Sequence, residues 1–198
     1  MRLVALLVCL FAAGCGGLPL DADYSKYPDP RNKEITLGVG DLISINVWGQ
    51  GNEGLATEAA IRPDGTITMP LVGDLKAAGT TPTDLKTVIK TRLQDFVKLQ
   101  GTEITVAVKE WRSYRFTVQG EVVRTGVYTS AEYVTVADAL ALAGGPTRFA
   151  KRNQIVLLRK DPKTRETLRI PFDYELLASG RRPDMNIFVL PGDTIFVP

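Results

Sequence analysis

The sequence predicts an α+β protein built from two small units in tandem. Three observations carry this. Runs with a period of two bracket one amphipathic helical stretch in the first half, and a shorter helical stretch among strands recurs in the second. Each helical stretch opens on a threonine suited to N-capping, Thr81 and Thr135. The 198 residues are 44% hydrophobic and 23% charged, ordinary for a globular chain with a core.

The first unit is expected over residues 35–110. Ile43, Ile45 and Val47 alternate with Ser44 and Asn46, which marks a half-buried strand. Arg62-Pro63-Asp64-Gly65 is a turn, proline fixing one φ and glycine accepting a positive one. It joins a strand near Ala59 to one through Ile67 and Met69. Thr81-Pro82-Thr83-Asp84 opens a helix with Pro82 at its first position. Leu85, Val88, Ile89, Leu93, Phe96 and Val97 share one face of it, and Gly101 stops it. Ile104, Val106 and Val108 then resume the strand period.

The second unit is expected over residues 111–198. Tyr114, Phe116 and Val118 form a strand, followed by a turn into Val127 and Tyr128. Thr135 caps a helix through Val136, Leu140 and Ala143, ended by Gly144-Gly145-Pro146. Strands follow at Ile155 to Leu158, Leu168 to Ile170, Ile187 to Leu190 and Ile195 to Val197, with a helical turn at Tyr174 to Leu177. Strands wrapped on one helix suggest a β-grasp-like fold. A Gly-Asp turn before apolar residues occurs twice, at Gly40-Asp41 and Gly192-Asp193, so two strands are entered alike.

The N-terminus reads as a targeting segment. Arg2 supplies a positive charge, and Leu3 to Ala13 form an apolar run too short to span a bilayer. Small residues precede Cys15. Residues 1–14 are therefore taken as a signal peptide, 15–34 as an extended Gly- and Pro-rich tether, and order as beginning near Ile35. After Cys15 no apolar run is long enough to cross a membrane as a helix.

Several chemistries find no footing. With no histidine, imidazole acid–base work, His-metal sites and Ser-His-Asp triads are excluded. Both cysteines lie in the first fifteen residues, so no catalytic residue, metal site or cofactor site is assigned. A net charge of +2 with scattered basic residues argues against nucleic acid; Arg148, Lys151 and Arg152, and Arg181 with Arg182, read as solvated faces. Gly49-Gln50-Gly51-Asn52-Glu53-Gly54 fits a dinucleotide-binding string, but Pro63, Gly65 and Pro70 forbid the helix it needs, so it is read as a flexible loop. Trp48, Trp111, Tyr114 and Tyr128 could stack on saccharide rings, or pack in cores and interfaces.

Two resemblances follow from these residues. Ala12-Ala13-Gly14-Cys15 resembles the bacterial lipobox, which implies cleavage after Gly14 and acylation of Cys15; an ordinary secreted protein is the alternative. Gly16 after the cysteine favours outer-membrane sorting. Leu37-Gly38-Val39-Gly40-Asp41 running into Val47-Trp48, and Asp64-Gly65-Thr66-Ile67-Thr68-Met69-Pro70, resemble the export domain of the outer-membrane polysaccharide export (Wza-like) family. Val118-Gln119-Gly120-Glu121-Val122, Gly126-Val127-Tyr128, Ala143-Gly144-Gly145 and Leu190-Pro191-Gly192-Asp193 resemble that family's soluble-ligand-binding β-grasp (SLBB) domain.

The resemblance implies a short form without the family's C-terminal pore helix. It implies a lipid-anchored, periplasm-facing, non-enzymatic ring element that conducts capsule or exopolysaccharide. The implied partners are polysaccharide, further copies of the chain, an inner-membrane chain-length-determinant or co-polymerase protein, and a separate outer-membrane β-barrel. A monomeric periplasmic glycan-binding or sensing lipoprotein is the rival reading.

Overall fold

The computed structural model describes residues 22–49, 52–96 and 101–198. Cys15 and the signal segment, Val97, and Gln50 with Gly51 lie outside them.

Alternation in the first unit produces a three-stranded antiparallel sheet. Its centre is β1 (Leu42–Gly49), flanked by β2 (Asn52–Ala60) and β5 (Glu103–Glu110). Between them in sequence lie the hairpin β3 (Thr66–Met69) with β4 (Gly73–Lys76), and helix α1 (Pro82–Leu93). Thr81 and Asp84 cap α1 reciprocally, each side chain bonding the other's backbone amide. Leu85, Ile89 and Leu93, four apart, are fully buried beside Ile43, Ile45, Val47, Ile67 and Ile104. The buried face of α1 is narrower than its apolar pattern predicts. Val88 is exposed, and Phe96 lies beyond the helix end with its ring in solvent. The helix stops at Leu93 rather than running to Gly101.

The glycine string at Gly49 is a hairpin connection. β1 ends there and β2 begins at Asn52, whose Cα pairs with that of Gly49. No helix follows, as Pro63 and Gly65 require.

The second unit is a five-stranded mixed sheet in the order β7-β6-β10-β8-β9. These are β6 (Arg115–Gly120), β7 (Gly126–Thr129), β8 (Ile155–Lys160), β9 (Thr167–Phe172) and β10 (Thr194–Val197). The last strand lies parallel to the first, β10 beside β6, and every other pairing is antiparallel. Helix α2 (Val136–Leu142), with the Thr135–Asp138 capping box, lays Val136, Ala139 and Leu140 on the core. A short α3 (Tyr174–Ala178) follows β9. The hairpins β6–β7 and β8–β9, with α2 between them in sequence, flank a central β10 that runs parallel to β6, a β-grasp-like arrangement.

Two expectations are corrected. Ile187–Leu190 is not a strand: it forms one isolated bridge, Thr135 with Phe188, plus two flanking backbone bonds to Val134 and Val136. A 3₁₀ turn at Pro183–Met185 delivers the segment edge-on, so Ile187 and Val189 fill the core without joining the sheet. Order also begins earlier than Ile35. Tyr24 is buried in the core of the second unit, its hydroxyl donating to the Pro171 carbonyl at 2.6 Å. The signal missed was one aromatic anchor in a 3₁₀ turn, which leaves no periodicity to read.

The two Gly-Asp turns have the same construction. Gly40 and Gly192 take positive φ (93° and 86°), as the third position of a type II turn demands. In each, the aspartate accepts from the amide three residues back: Gly38 to Asp41 at 2.8 Å, Leu190 to Asp193 at 2.7 Å. Both carboxylates are buried but answered differently. Asp41 is met by Ser113, whereas Asp193 is held by the Arg159 guanidinium at 2.6 Å.

Candidate functional site

The chain passes from the first unit to the second through residues 110–114, and a depression among the described residues lies at that junction. It is an open groove of about 940 Å³. The end of β5 and the linker form one side, through Val108, Lys109, Glu110, Trp111 and Arg112. Arg115, Val127 and the loop Thr129 to Tyr133 form the other, and Arg31, Lys33 and Ile35 close an end.

Aromatic packing shapes its floor. The Trp111 indole stacks on Tyr114 with centroids 4.7 Å apart and meets Tyr133 edge-on at 4.8 Å. The indole N–H of Trp111 is buried and has no acceptor among the described residues. Burial pushes the Tyr133 and Tyr114 phenols up, so both stay protonated donors at neutral pH.

The rim is cationic. Five basic residues line the groove against two carboxylates, Glu110 and Glu132. Arg31 is tied to Asp29 at 2.7 Å and Lys109 to Glu58, both partners outside the groove. Arg112 pairs with Glu110 at 2.7 Å, while the Arg115 Nε donates to the Arg112 carbonyl at 3.0 Å.

Of the four aromatic candidates from the sequence, Trp111 and Tyr114 stack on each other, but only Trp111 lines the groove. Tyr114 is a core residue with no exposed face: its hydroxyl donates to the Val189 carbonyl and accepts from the Val134 amide. Both its ring and its polar handle are used internally. Tyr128 stacks on Phe116 at 5.9 Å and donates to the Arg124 carbonyl. Trp48 stands at the far end of β1, 65% exposed. Tyr133, Arg31, Lys33, Arg112 and Arg115 were not singled out from the sequence. They are scattered over a hundred positions and converge only through the fold.

The arrangement offers donors, positive charge and aromatic surface. Among the described residues no group of three or more His, Cys, Asp or Glu could hold a metal ion. Nor, among them, is any helix long and apolar enough to cross a membrane.

Comparison with known proteins bears on both flanks of the groove. Residues 29–109 match the family model described as polysaccharide biosynthesis/export protein, and residues 115–171 match the SLBB domain. The chain belongs to the polysaccharide-export family. It is 22% identical over 193 residues to the capsule polysaccharide export outer membrane protein CtrA of Neisseria meningitidis serogroup B, covering 89% of this chain and 47% of the relative. It is 32% identical over 128 residues to the exopolysaccharide production protein ExoF of Rhizobium meliloti, covering 60% and 30%. It is 27% identical over 183 residues to the EPS I polysaccharide export outer membrane protein EpsA of Ralstonia nicotianae, covering 81% and 46%. The chain thus spans less than half the length of each of these relatives. The groove sits at the seam between the two matched domains: the export match ends at Lys109 and the SLBB match opens at Arg115, the first residue of β6.

Proposed function

We propose that this protein is a lipid-anchored component of a capsule or exopolysaccharide export apparatus, seated at the outer membrane and facing the periplasm. The observation that carries it is the tandem of an export-domain match and an SLBB match, beside similarity to capsule and exopolysaccharide export proteins over most of the chain. It works without bond chemistry, as a conduit element rather than an enzyme. Acylated Cys15 holds the chain at the membrane, and copies associate side by side to enclose a passage for the polymer. An inner-membrane chain-length-determinant or co-polymerase protein hands the polymer on, and a separate β-barrel provides the outer-membrane passage.

What supports assembly is apolar surface left in solvent. Phe149 (70% exposed), Val127, Trp48 and Val123 are all largely open, which leaves apolar side chains free for contact with neighbouring copies. Trp48 and Tyr128 are assigned to contact with glycan or a neighbouring copy.

The test is deletion of the gene with quantitation of surface and secreted polysaccharide, joined to cross-linking of the tagged protein in membranes. Loss of polymer with cross-linked ladders is expected. Unchanged polymer would refute the export role. A strict monomer with oligosaccharide affinity would replace the conduit by a glycan-sensing lipoprotein.

A further inference from the structure

We propose that the junction groove binds a segment of acidic saccharide, its carboxylates met by Lys33, Arg112 and Arg115 and its sugar rings by Trp111 and Tyr133. The choice of a saccharide among anions rests on the export reading above. The choice of an acidic one rests on the groove itself.

Charge decides the class. Lining cations outnumber lining carboxylates five to two, and after ion pairing Lys33 and Arg115 stand against Glu132. Arg31 and Lys109 are neutralised by acids elsewhere, and Arg112 shares Glu110. Arg115 keeps its terminal guanidinium nitrogens beyond the single bond from Nε, and Lys33 is an exposed ammonium on the same lining. Guanidinium matches a carboxylate with two parallel N–H donors, which an ammonium cannot do, so Arg112 and Arg115 orient the anion and Lys33 adds a point charge.

Size and surface agree. The volume lies at the upper end of the range of about 300–1,000 Å³ typical of small-molecule sites, enough for a short run of sugars. Aromatic rings suit the C–H faces of a pyranose, and the phenol of Tyr133 adds a donor. The unanswered Trp111 N–H gives a saccharide oxygen a further partner once the indole shifts outward.

The location gives binding a mechanical meaning. The ligand would touch the export domain through the end of β5, the SLBB domain through β6 and the Thr129–Tyr133 loop, and the N-terminal segment through Lys33. A bound acidic segment therefore bridges all three.

The experiment titrates the full chain, in detergent, with a short oligogalacturonate and with a neutral malto-oligosaccharide of equal length, by calorimetry at low and physiological salt. Binding of the acidic probe alone, weakening as salt screens the exposed cations, is expected. The Lys33→Gln/Arg115→Gln double variant should lose about tenfold or more in affinity with an unchanged melting temperature, while Lys163→Gln, on the distant β8–β9 turn, should lose none. Three results would overturn the proposal. They are no binding of the acidic probe in the millimolar range, equal binding of the neutral probe, and a groove covered by a second copy, seen as native-mass oligomers that the double variant dissociates and the acidic probe leaves intact. Each leaves the deletion phenotype standing, so failure here is separable from failure of the export role.

Discussion

Asp41 and Ser113, 72 positions apart, are joined by two hydrogen bonds: the Ser113 amide donates to one carboxylate oxygen at 2.7 Å and its hydroxyl to the other at 2.9 Å. Asp41 is fully buried and also closes its own turn through Gly38. One carboxylate thus fastens the inter-domain linker to the entry of β1. Asp41→Ala should cost about 2–4 kcal/mol and Ser113→Ala about 1 kcal/mol in denaturant melts, because the first strips charge-assisted bonds from three partly buried donors.

Gly38 is part of the same joint. A Cβ there would overlap the Ser113 side chain, although Gly38 needs no positive φ. Gly38→Ala should therefore destabilise by about 1–3 kcal/mol, and by clearly less in a Ser113→Gly background. A double-mutant cycle reads the coupling; additive effects would show that the contact is not what excludes a side chain.

The Arg159–Asp193 pair predicts a pH effect of unusual sign. Burial pushes the Asp193 carboxyl up despite hydrogen bonds and charge from Arg159, which pull it down. A raised carboxyl binds its proton more tightly when folded. This contribution to stability is therefore greatest below the unfolded value near 3.8 and falls as pH rises through the folded one. Arg159→Gln should cost about 3–5 kcal/mol at neutral pH by leaving a buried carboxylate alone, and that deficit should shrink on acidification. Asp64 and Asp74, held low by bonds from Thr66 and from Thr68 and Arg62, run the opposite way. Their stabilisation is lost as pH falls below about 3.8, and carboxyl-detected NMR titration separates the two classes.

Tyr24 predicts an alkaline transition. Burial pushes its phenol up to about 12, so folding resists its ionisation and stability drops as pH rises from 10 toward that value. Tyr24→Phe should remove part of that drop and cost about 1 kcal/mol at neutral pH. Tyr24→Ala should cost about 3 kcal/mol and expose residues 22–34 to protease.

Most of the fold was legible because its signals are local. Capping threonines announced α1 and α2, and apolar runs announced β1, β5, β6, β8 and β10. Ile187–Leu190 misled because alternating apolar residues fill a core equally well from an irregular segment. The groove was illegible for a different reason: Arg31, Lys33, Arg112, Arg115 and Tyr133 carry no common motif. Of the aromatic residues that did stand out, Tyr114 builds the core, while Trp111 and Tyr128 pack against it.

The buried Tyr24 changes how the two domains are connected. The polypeptide first secures itself to the SLBB core, then runs back through Glu34, which accepts from Thr83 at the start of α1, to build the export domain, and returns through Ser113. Two strands of chain therefore cross the boundary, like the paired straps of a hinge rather than a single string. Swivelling of one domain about the other is restrained, and a protease cut in either crossing would leave the halves still held together.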